Sequence, residues 1–212
     1  MNEDEPLPID TLLPPEVAQH AVAQNPPARL VLNLGCGATN NQRLPPIFRA
    51  PSWREVRIDI DPRVRPHLIA SVATLSYLAD TSADAIWSSH NLEHLETHEV
   101  PGALADMLRV LKPGGFALIT LPDLHAVAQL VVDGKLTATA YRSPLGPIRA
   151  LDMLFGHSAS LAAGRRYMAH RCGFDAESLG QALLTAGFHE VRIRKGTCYD
   201  LWAYALKSAR EL

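Results

Sequence analysis

Short runs of branched apolar residues recur along the chain, and each run ends in glycine, proline or a small polar residue. The first run, residues 29–34, is largely apolar on both faces and leads directly into Gly-Cys-Gly. This pattern is typical of a parallel strand that is buried on both sides. Other apolar runs predict further strands at about 55–60, 67–72, 83–90, 116–121 and 198–206, and apolar–polar alternation predicts one at 189–194.

Helical periodicity lies between several of these runs. Apolar residues at the spacing i, i+3, i+4, i+7 predict a helix over residues 102–111. Pro101 is expected to divide this helix from an earlier part that begins near Asn91. A later helix is expected to start after Asp175, which can cap it, and to end at Gly187.

The positions of proline and glycine along the chain predict one domain with two additions, an N-terminal arm and an insertion. Residues 1–28 are proline-rich and are interpreted as an N-terminal arm with a short helix after the Pro14-Pro15 pair. Residues 29–212 form the domain itself. Within it, residues 125–172 have no clean period and contain scattered glycine and proline, which indicates an insertion of small helices and loops on the substrate side.

The glycine turn after the first strand is the first candidate for chemistry. Gly35 and Gly37 lack a Cβ atom, so a ligand can approach the main chain there. The next strand ends in Asp59, a carboxylate that can accept both hydroxyls of a ribose. A dinucleotide fingerprint needs a third glycine where this chain has Asn40. The pattern therefore favours a ribose-bearing ligand without phosphates, and the alternative is an ordinary turn with nothing bound.

Composition and charge indicate which partners and which cellular location to expect. Hydrophobic residues make up 47% of the 212 residues and the formal net charge is −2, so neither a basic surplus nor an aromatic–basic run points to nucleic acid. The three cysteines are scattered, the start is acidic rather than signal-like, and no apolar run reaches the length of a membrane span. These features predict a cytoplasmic protein without a membrane or nucleic-acid partner.

Charge is distributed unevenly. Residues 1–28 carry five acidic residues and no Lys or Arg, whereas residues 125–170 carry five basic and two acidic residues. The basic segment faces an anionic substrate in one interpretation, and both segments are solvated surfaces in the other.

Four stretches in this order resemble class I S-adenosylmethionine-dependent methyltransferases, most closely the small bacterial group related to ubiquinone/menaquinone-type (type 11) enzymes. They are Val-Leu-Asn-Leu-Gly-Cys-Gly at 31–37, Ile-Asp-Ile-Asp at 58–61, Asp-Ala-Ile-Trp-Ser-Ser-His-Asn-Leu-Glu-His-Leu at 84–95, and Arg-Val-Leu-Lys-Pro-Gly-Gly-Phe at 109–116. Ala-Gly-Phe at 186–188 recurs in the family ahead of its sixth strand. The resemblance covers about 30–120 and 174–206.

The resemblance implies an α/β, Rossmann-like fold. Its sheet has seven mostly parallel strands in the order 3-2-1-4-5-7-6, with the last strand antiparallel and helices on both faces. It implies methyl transfer from S-adenosyl-L-methionine, with S-adenosyl-L-homocysteine as product, to a small acceptor that can be anionic. A homodimer is compatible with it.

The resemblance also assigns site residues. Those expected to bind the cofactor are Asn33, Gly35, Cys36, Gly37, Asp59, Ile60, Ser71, Val72, Ser89 and His90. Two of them depart from the family pattern, because Asn33 stands where an acid is usual and Ser71 stands where an acid contacts the adenine.

The candidates for catalysis and for binding the methyl acceptor follow from the residue types and their positions, not from the resemblance. His90 follows the fourth strand and is the first candidate for a catalytic base, the alternative being a side chain that only packs. His170 is the second candidate. Tyr141, Arg166, Tyr167 and His170 are the candidates for substrate binding, with surface charge and packing as the alternative.

The spacing of three histidines raises the question of a metal site. His90, His94 and His98 follow i, i+4, i+8. No cysteine or acidic ligand spacing supports a site, and the Leu-Glu-His run recurs in methyltransferases that need no metal. No metal is therefore expected.

Two other functions stay open on the sequence. One is a non-catalytic partner subunit that has kept the fold, which the departures at Asn33 and Ser71 motivate. The other is a different nucleotide-cofactor enzyme on a Rossmann fold. Asn40 argues against it, because the dinucleotide fingerprint has a glycine at that position.

Overall fold

The computed structural model describes residues 12–13, 28–38 and 44–209. Nearly all of the predicted arm, including its helix, and Asn40 lie outside the described residues. A seven-stranded sheet forms the centre of the described part. Its strands are β1 (Arg29–Leu34), β2 (Trp53–Asp59), β3 (Leu68–Ile69), β4 (Ala83–Ser89), β5 (Leu111–Pro122), β8 (Glu190–Lys195) and β9 (Asp200–Leu206).

The strand order is β3-β2-β1-β4-β5-β9-β8. Strand β1 pairs in parallel with β2 and β4, and β9 is antiparallel to both β5 and β8. This is the predicted topology. The numbers β6 and β7 are missing from the order because those two strands form a separate hairpin, described below. The carboxyl ends of the five parallel strands β1–β5 meet at one edge, where ligands bind in open α/β sheets.

Two apolar clusters cover the two faces of the sheet. The larger one packs helices α1 (Val100–Val110) and α5 (Ala176–Thr185) against side chains such as Leu32 and Ile86. The other includes Leu12, the 3₁₀ helix Pro46–Arg49 and an aromatic group, Phe48, Trp53, Phe116, Trp87 and Tyr204. Alternate residues of the central strands β1, β4, β5 and β9 therefore point to opposite cores.

Helix boundaries follow local chemistry, with one correction. Asp175 caps α5 by accepting from the Ser178 amide at 2.8 Å, and Gly187 at φ +102° follows its end, as predicted. The prediction that Pro101 divides a helix beginning near Asn91 is wrong. Residues 92–94 form a separate 3₁₀ helix, and Pro101 lies in the first turn of α1, where proline is well tolerated because the turn needs no amide donor.

Strand β5 begins before the predicted turn. Leu111 pairs with Ala83, and the register then shifts so that Ala85 pairs with Phe116. The Lys-Pro-Gly-Gly segment between these pairs is accommodated as an irregularity of the strand rather than as a full stop.

The insertion is more ordered than its composition predicts. It contains α2 (Leu124–Val132), a hairpin of β6 (Thr139–Ser143) and β7 (Gly146–Arg149), α3 (Ala150–Phe155), α4 (Ser158–Ala162) and the 3₁₀ helix Arg166–Met168. Buried residues of its own, including Val127, Ile148 and Met153, give it a small apolar core. The hairpin escaped sequence analysis because its strands are short and mostly half-exposed. No helix in the described part of the chain is long and apolar enough to cross a membrane.

Candidate active site

A cavity of about 740 Å³ lies between the carboxyl edge of the sheet and the insertion. Thirteen of the fourteen predicted site residues line it: Asn33, Gly35, Cys36, Gly37, Asp59, Ile60, Ser71, Val72, Ser89, His90, Tyr141, Tyr167 and His170. The exception is Arg166, whose neighbour Arg165 lines the cavity instead. Arg165 precedes a short 3₁₀ helix that begins at Arg166, and adjacent side chains point in different directions, so the sequence alone could not distinguish these two arginines.

The glycine turn has the conformation that its composition predicts. Gly35 and Gly37 have φ values of +62° and +60°, a region in which side chains with a Cβ are strained. A Cβ atom on Gly35 would lie 2.7 Å from Cγ of Asn91, so the turn and the Asn91 side chain are packed against each other. Nδ2 of Asn91 is buried and has no hydrogen-bond partner among the described residues.

Asp59 ties the end of β2 to the glycine turn. Its Oδ2 accepts from the Gly37 amide at 2.8 Å, and its Oδ1 accepts from the Asp61 amide at 2.8 Å. Each carboxylate oxygen has a second lone pair, so both oxygens can still accept a hydroxyl. The carboxylate is therefore fixed in position before a ligand arrives.

Arg57 was missed by sequence analysis. Its buried guanidinium donates from Nη2 to the Gly37 carbonyl at 2.6 Å and from Nη1 to the Arg65 carbonyl at 2.9 Å. It thus joins the glycine turn to the loop after β2. Its position two residues before Asp59, on the same face of the strand, is the signal that could have found it.

Asn33 faces a carboxylate on the neighbouring strand. Its Nδ2 donates to Oε1 of Glu55 at 2.6 Å. A carboxylate only accepts hydrogen bonds, so this contact orients the Asn33 amide and leaves its Oδ1 as an acceptor elsewhere.

The side of the cavity near β3 is more apolar. Ile60 lines the cavity and is 53% exposed, so its side chain is available for contact with a planar ligand. Oγ of Ser71 accepts from the Ala73 amide at 3.2 Å, so the serine is engaged in a local turn.

The end of β4 has an unusual backbone. His90 has φ +50°, in the left-handed region, and its amide donates to the Thr120 carbonyl at 2.8 Å. Its Nδ1 lies 3.2 Å from Oε1 of Glu93, and its side chain is 46% exposed to the cavity. Strained residues of this kind are concentrated at functional sites.

Glu93 is 1% exposed and is surrounded by histidines. Burial would raise the pKa of its carboxyl, but the hydrogen bond from His90 and the proximity of His94 and His170 lower it overall. The carboxyl group is therefore held as an anion beneath the cavity. Glu93 was not singled out from the sequence because its role depends on His170, which arrives from the insertion.

His94 and His170 pack against each other with ring centroids 4.9 Å apart. Nδ1 of His94 donates to the Ala169 carbonyl at 3.0 Å, and Nδ1 of His170 donates to the Met153 carbonyl at 2.8 Å. Burial lowers the pKa of His170, which favours its neutral form.

The insertion is tied to the sheet by a three-residue contact. The Tyr167 hydroxyl donates to Oδ2 of Asp61 at 2.6 Å and accepts from Nη2 of Arg63 at 2.6 Å. Arg63 also pairs with Asp61 at 2.8 Å.

Elsewhere in the cavity lining, Tyr141 stacks on Tyr199, and burial raises the pKa of Tyr141 to about 12.

Cys36, in the glycine turn, is unsuited to nucleophilic chemistry. Burial raises the pKa of its thiol to about 11, so it is protonated at neutral pH. A protonated thiol is a poor nucleophile, and Cys36 therefore serves packing and turn geometry.

Part of the chain is similar to a known protein family. Residues 32–119 match the family described as "Methyltransferase domain". This part of the chain, from β1 into β5, is therefore similar to a methyltransferase domain. No curated protein sequence matches the chain.

Solved methyltransferase structures share the fold of this domain at low identity. A SAM-dependent methyltransferase from Archaeoglobus fulgidus is 15% identical, with a TM-score of 0.56 over 85% of this chain and 86% of that chain. The 1,6-didemethyltoxoflavin-N1-methyltransferase of Burkholderia thailandensis, with bound 1,6-didemethyltoxoflavin and S-adenosylhomocysteine, is 17% identical, with a TM-score of 0.51 over 85% and 72%. A Haloferax volcanii methyltransferase complex with the activator Trm112 is 15% identical, with a TM-score of 0.52 over 91% and 89%.

Proposed function

We propose that this chain transfers a methyl group from S-adenosylmethionine to a small molecule. The observation that carries the proposal is the continuity of one cavity from the glycine turn and Asp59 to Tyr141, Tyr167 and His170 of the insertion. Such a cavity can hold a cofactor and an acceptor side by side, and its volume lies in the range of small-molecule sites. When bound, the cofactor supplies an electrophilic methyl group on a sulfonium.

The residues at the sheet edge fit this cofactor. Asp59 would accept the ribose hydroxyls, Ile60 would pack on the adenine, and the glycine turn would lie against the methionine part. Asn33 Oδ1 can accept from the cofactor ammonium in place of the usual acid, because Glu55 holds the amide in that orientation. The buried Nδ2 of Asn91 is a donor without a described partner and would bind the cofactor carboxylate.

The insertion would bind the acceptor. Arg165 lines the cavity and forms no ion pair with any residue that the structure describes, whereas Arg63 and Arg171, which lie nearby, are paired with Asp61 and Glu96. An unpaired guanidinium at the rim favours an anionic acceptor. Arg165 therefore replaces Arg166 in the proposed substrate-binding set, alongside Tyr141, Tyr167 and His170.

Most of the rate would come from positioning, since methyl transfer needs the acceptor atom held in line with the methyl group. His90 is the candidate proton acceptor for a hydroxyl or amine. Its Nδ1 lies beside Glu93, so that Nε2 carries the lone pair in the neutral ring. This is the geometry in which a carboxylate orients a histidine base.

A partner subunit without activity is the second candidate. The similar structure of a methyltransferase with the activator Trm112 shows that a protein of this fold can assemble with another chain. A cytoplasmic location and a homodimer also stay predictions.

Calorimetric titration with S-adenosylmethionine and S-adenosylhomocysteine tests the proposal. We expect micromolar binding of at least one, followed by methyl transfer from radiolabelled cofactor to a member of a panel of small acids and phenols. A folded protein that binds neither would contradict the proposal and favour the partner subunit. Binding of a nicotinamide cofactor instead would indicate a different enzyme.

A further inference from the structure

Three side chains of the kind that bind transition metals converge beneath the acceptor end of the cavity. One donor atom from each of Glu93, His94 and His170 lies within 4.8 Å of the others. Glu93 and His94 come from the 3₁₀ helix after β4, and His170 comes from the insertion. This set differs from the His90, His94 and His98 spacing in the sequence, because the fold replaces two helix neighbours with a carboxylate and a distant histidine.

The carboxylate of Glu93 is only half satisfied. Oε1 lies 3.2 Å from Nδ1 of His90, whereas Oε2 is buried and has no hydrogen-bond partner in the described part of the chain. Leaving a buried charged oxygen without a partner is unfavourable, and such atoms commonly indicate a missing ligand. This oxygen is the second, independent sign of a site.

Both histidines are oriented as metal ligands usually are. The Nδ1 atoms of His94 and His170 each donate to a backbone carbonyl, those of Ala169 and Met153. That contact fixes the tautomer and leaves the lone pair on Nε2. Metal-bound histidines typically donate their other ring N–H to a carbonyl or carboxylate in this way.

We propose that Glu93, His94 and His170 bind a divalent transition-metal ion of the Zn²⁺ or Co²⁺ type. Two imidazoles and one carboxylate are a donor set that such ions accept, with the remaining coordination positions open. Because His94 and His170 line the cavity, these positions face the acceptor end and would bind an anionic oxygen of the acceptor. The last step rests on the proposed function, whereas metal binding itself does not.

The ion would draw the three side chains together slightly. Ligand bonds of about 2.1 Å in a tetrahedral site hold the donor atoms about 3.4 Å apart. His170 would then be a metal ligand rather than the second candidate base, and His90 would orient the Glu93 carboxylate.

Cobalt binding tests the site directly. Tag-free protein, stripped with a chelator, is titrated with Co²⁺ and followed by the visible absorption of the bound ion. We expect a saturable absorption of tetrahedral intensity, weakened at least tenfold in affinity by Glu93→Gln, His94→Gln and His170→Gln. His125→Gln, an exposed histidine of α2, serves as the matched control and should leave the titration unchanged.

Thermal unfolding keeps the test decisive if one variant folds poorly. An ion that binds the native state raises the midpoint of unfolding, so Zn²⁺ should raise it in the wild type and the His125 variant and not in the Glu93 variant. Absence of both the absorption and the stabilisation, or their persistence in all three ligand variants, would overturn the proposal. Titration with S-adenosylhomocysteine in the chelator separates this failure from that of methyl transfer, since cofactor binding does not involve the ion.

Discussion

At the scale of single residues, the glycine turn can be tested by adding one carbon atom. We expect Gly35→Ala to destabilise the protein by at least about 1–2 kcal/mol through the left-handed conformation alone, with a further cost from the contact with Asn91. The free energy of unfolding in urea measures it. Gly102→Ala is the matched control, since a Cβ there meets nothing within 4 Å, and α1 should gain up to about 1 kcal/mol. Equal effects would mean that the turn is not constrained.

The Asp59 carboxylate is the second test at this scale. We expect Asp59→Ala to weaken S-adenosylmethionine binding at least tenfold, about 1.4 kcal/mol, because it removes a charged acceptor and frees the Gly37 and Asp61 amides. Calorimetric titration measures the affinity, and Asp133→Ala on the exposed end of α2 should leave it unchanged. An unaltered affinity in the Asp59 variant would mean that the ribose binds elsewhere.

The sequence located those cavity residues whose positions follow from the backbone. The glycine turn and Asp59 follow strands that the apolar pattern locates, and their side chains or missing side chains act locally. Arg57 and Glu93 escaped prediction because each acts through a contact between distant segments: the carbonyl of Gly37 for one and the ring of His170 for the other. For Glu93 the pairing depends on the path of the insertion, which leaves no periodic signal. Arg57 shares the two-residue period of its strand with Asp59, and this signal could have found it.

At the scale of elements, the docking of the insertion depends on Tyr167. We expect Tyr167→Phe to speed amide hydrogen exchange at residues 165–169 while changing global stability by only about 1 kcal/mol. The hydroxyl that it removes links the 3₁₀ helix to Asp61 and Arg63. Tyr77→Phe is the control, because its hydroxyl bonds to the Ser71 carbonyl and not to the insertion. Unchanged exchange at 165–169 would show that other contacts hold the insertion.

The elements of the central sheet were predicted more accurately than those of the insertion. Strand β1 is a continuous apolar run and helix α5 has a clear apolar period. Gly35 and Gly187 mark their ends, and both elements were located to within a residue or two. The β6–β7 hairpin has a weak pattern because one of its faces covers only a small core of a few residues. Pro101 misled the helix prediction, since proline permits a helix to start as readily as it ends one.

At the scale of the whole molecule, acid should loosen the contact between sheet and insertion. The hydrogen bonds from Arg63 and Tyr167 hold the pKa of the Asp61 carboxyl well below its usual range. A carboxyl whose pKa is lower in the folded state contributes stability above its unfolded pKa, near 3.9, and loses it as the pH falls further. We therefore expect wild type to exceed Asp61→Asn in unfolding free energy at pH 7, with the difference shrinking below about pH 4.

Denaturant titrations of both proteins at several pH values measure this difference. Glu177→Gln, which removes a charge from the exposed side of α5, controls for the general effect of one negative charge. A difference between wild type and Asp61→Asn that stays constant from pH 7 into acid would contradict the role of the carboxylate.

The position of β9 affects how the protein can fold during synthesis. Of the nine strands in the described residues this one comes last in chain order, yet it lies between β5 and β8, and β8 joins the described sheet only through it. While the ribosome has yet to complete residues 200–206, β5 and β8 both present unpaired edges, and Val191 and Ile193 lack the neighbour that they pair with. Seven residues close both edges at once. A nascent chain stalled before this strand would therefore be a preferred target for chaperones and proteases, although every described residue that lines the cavity had already been made.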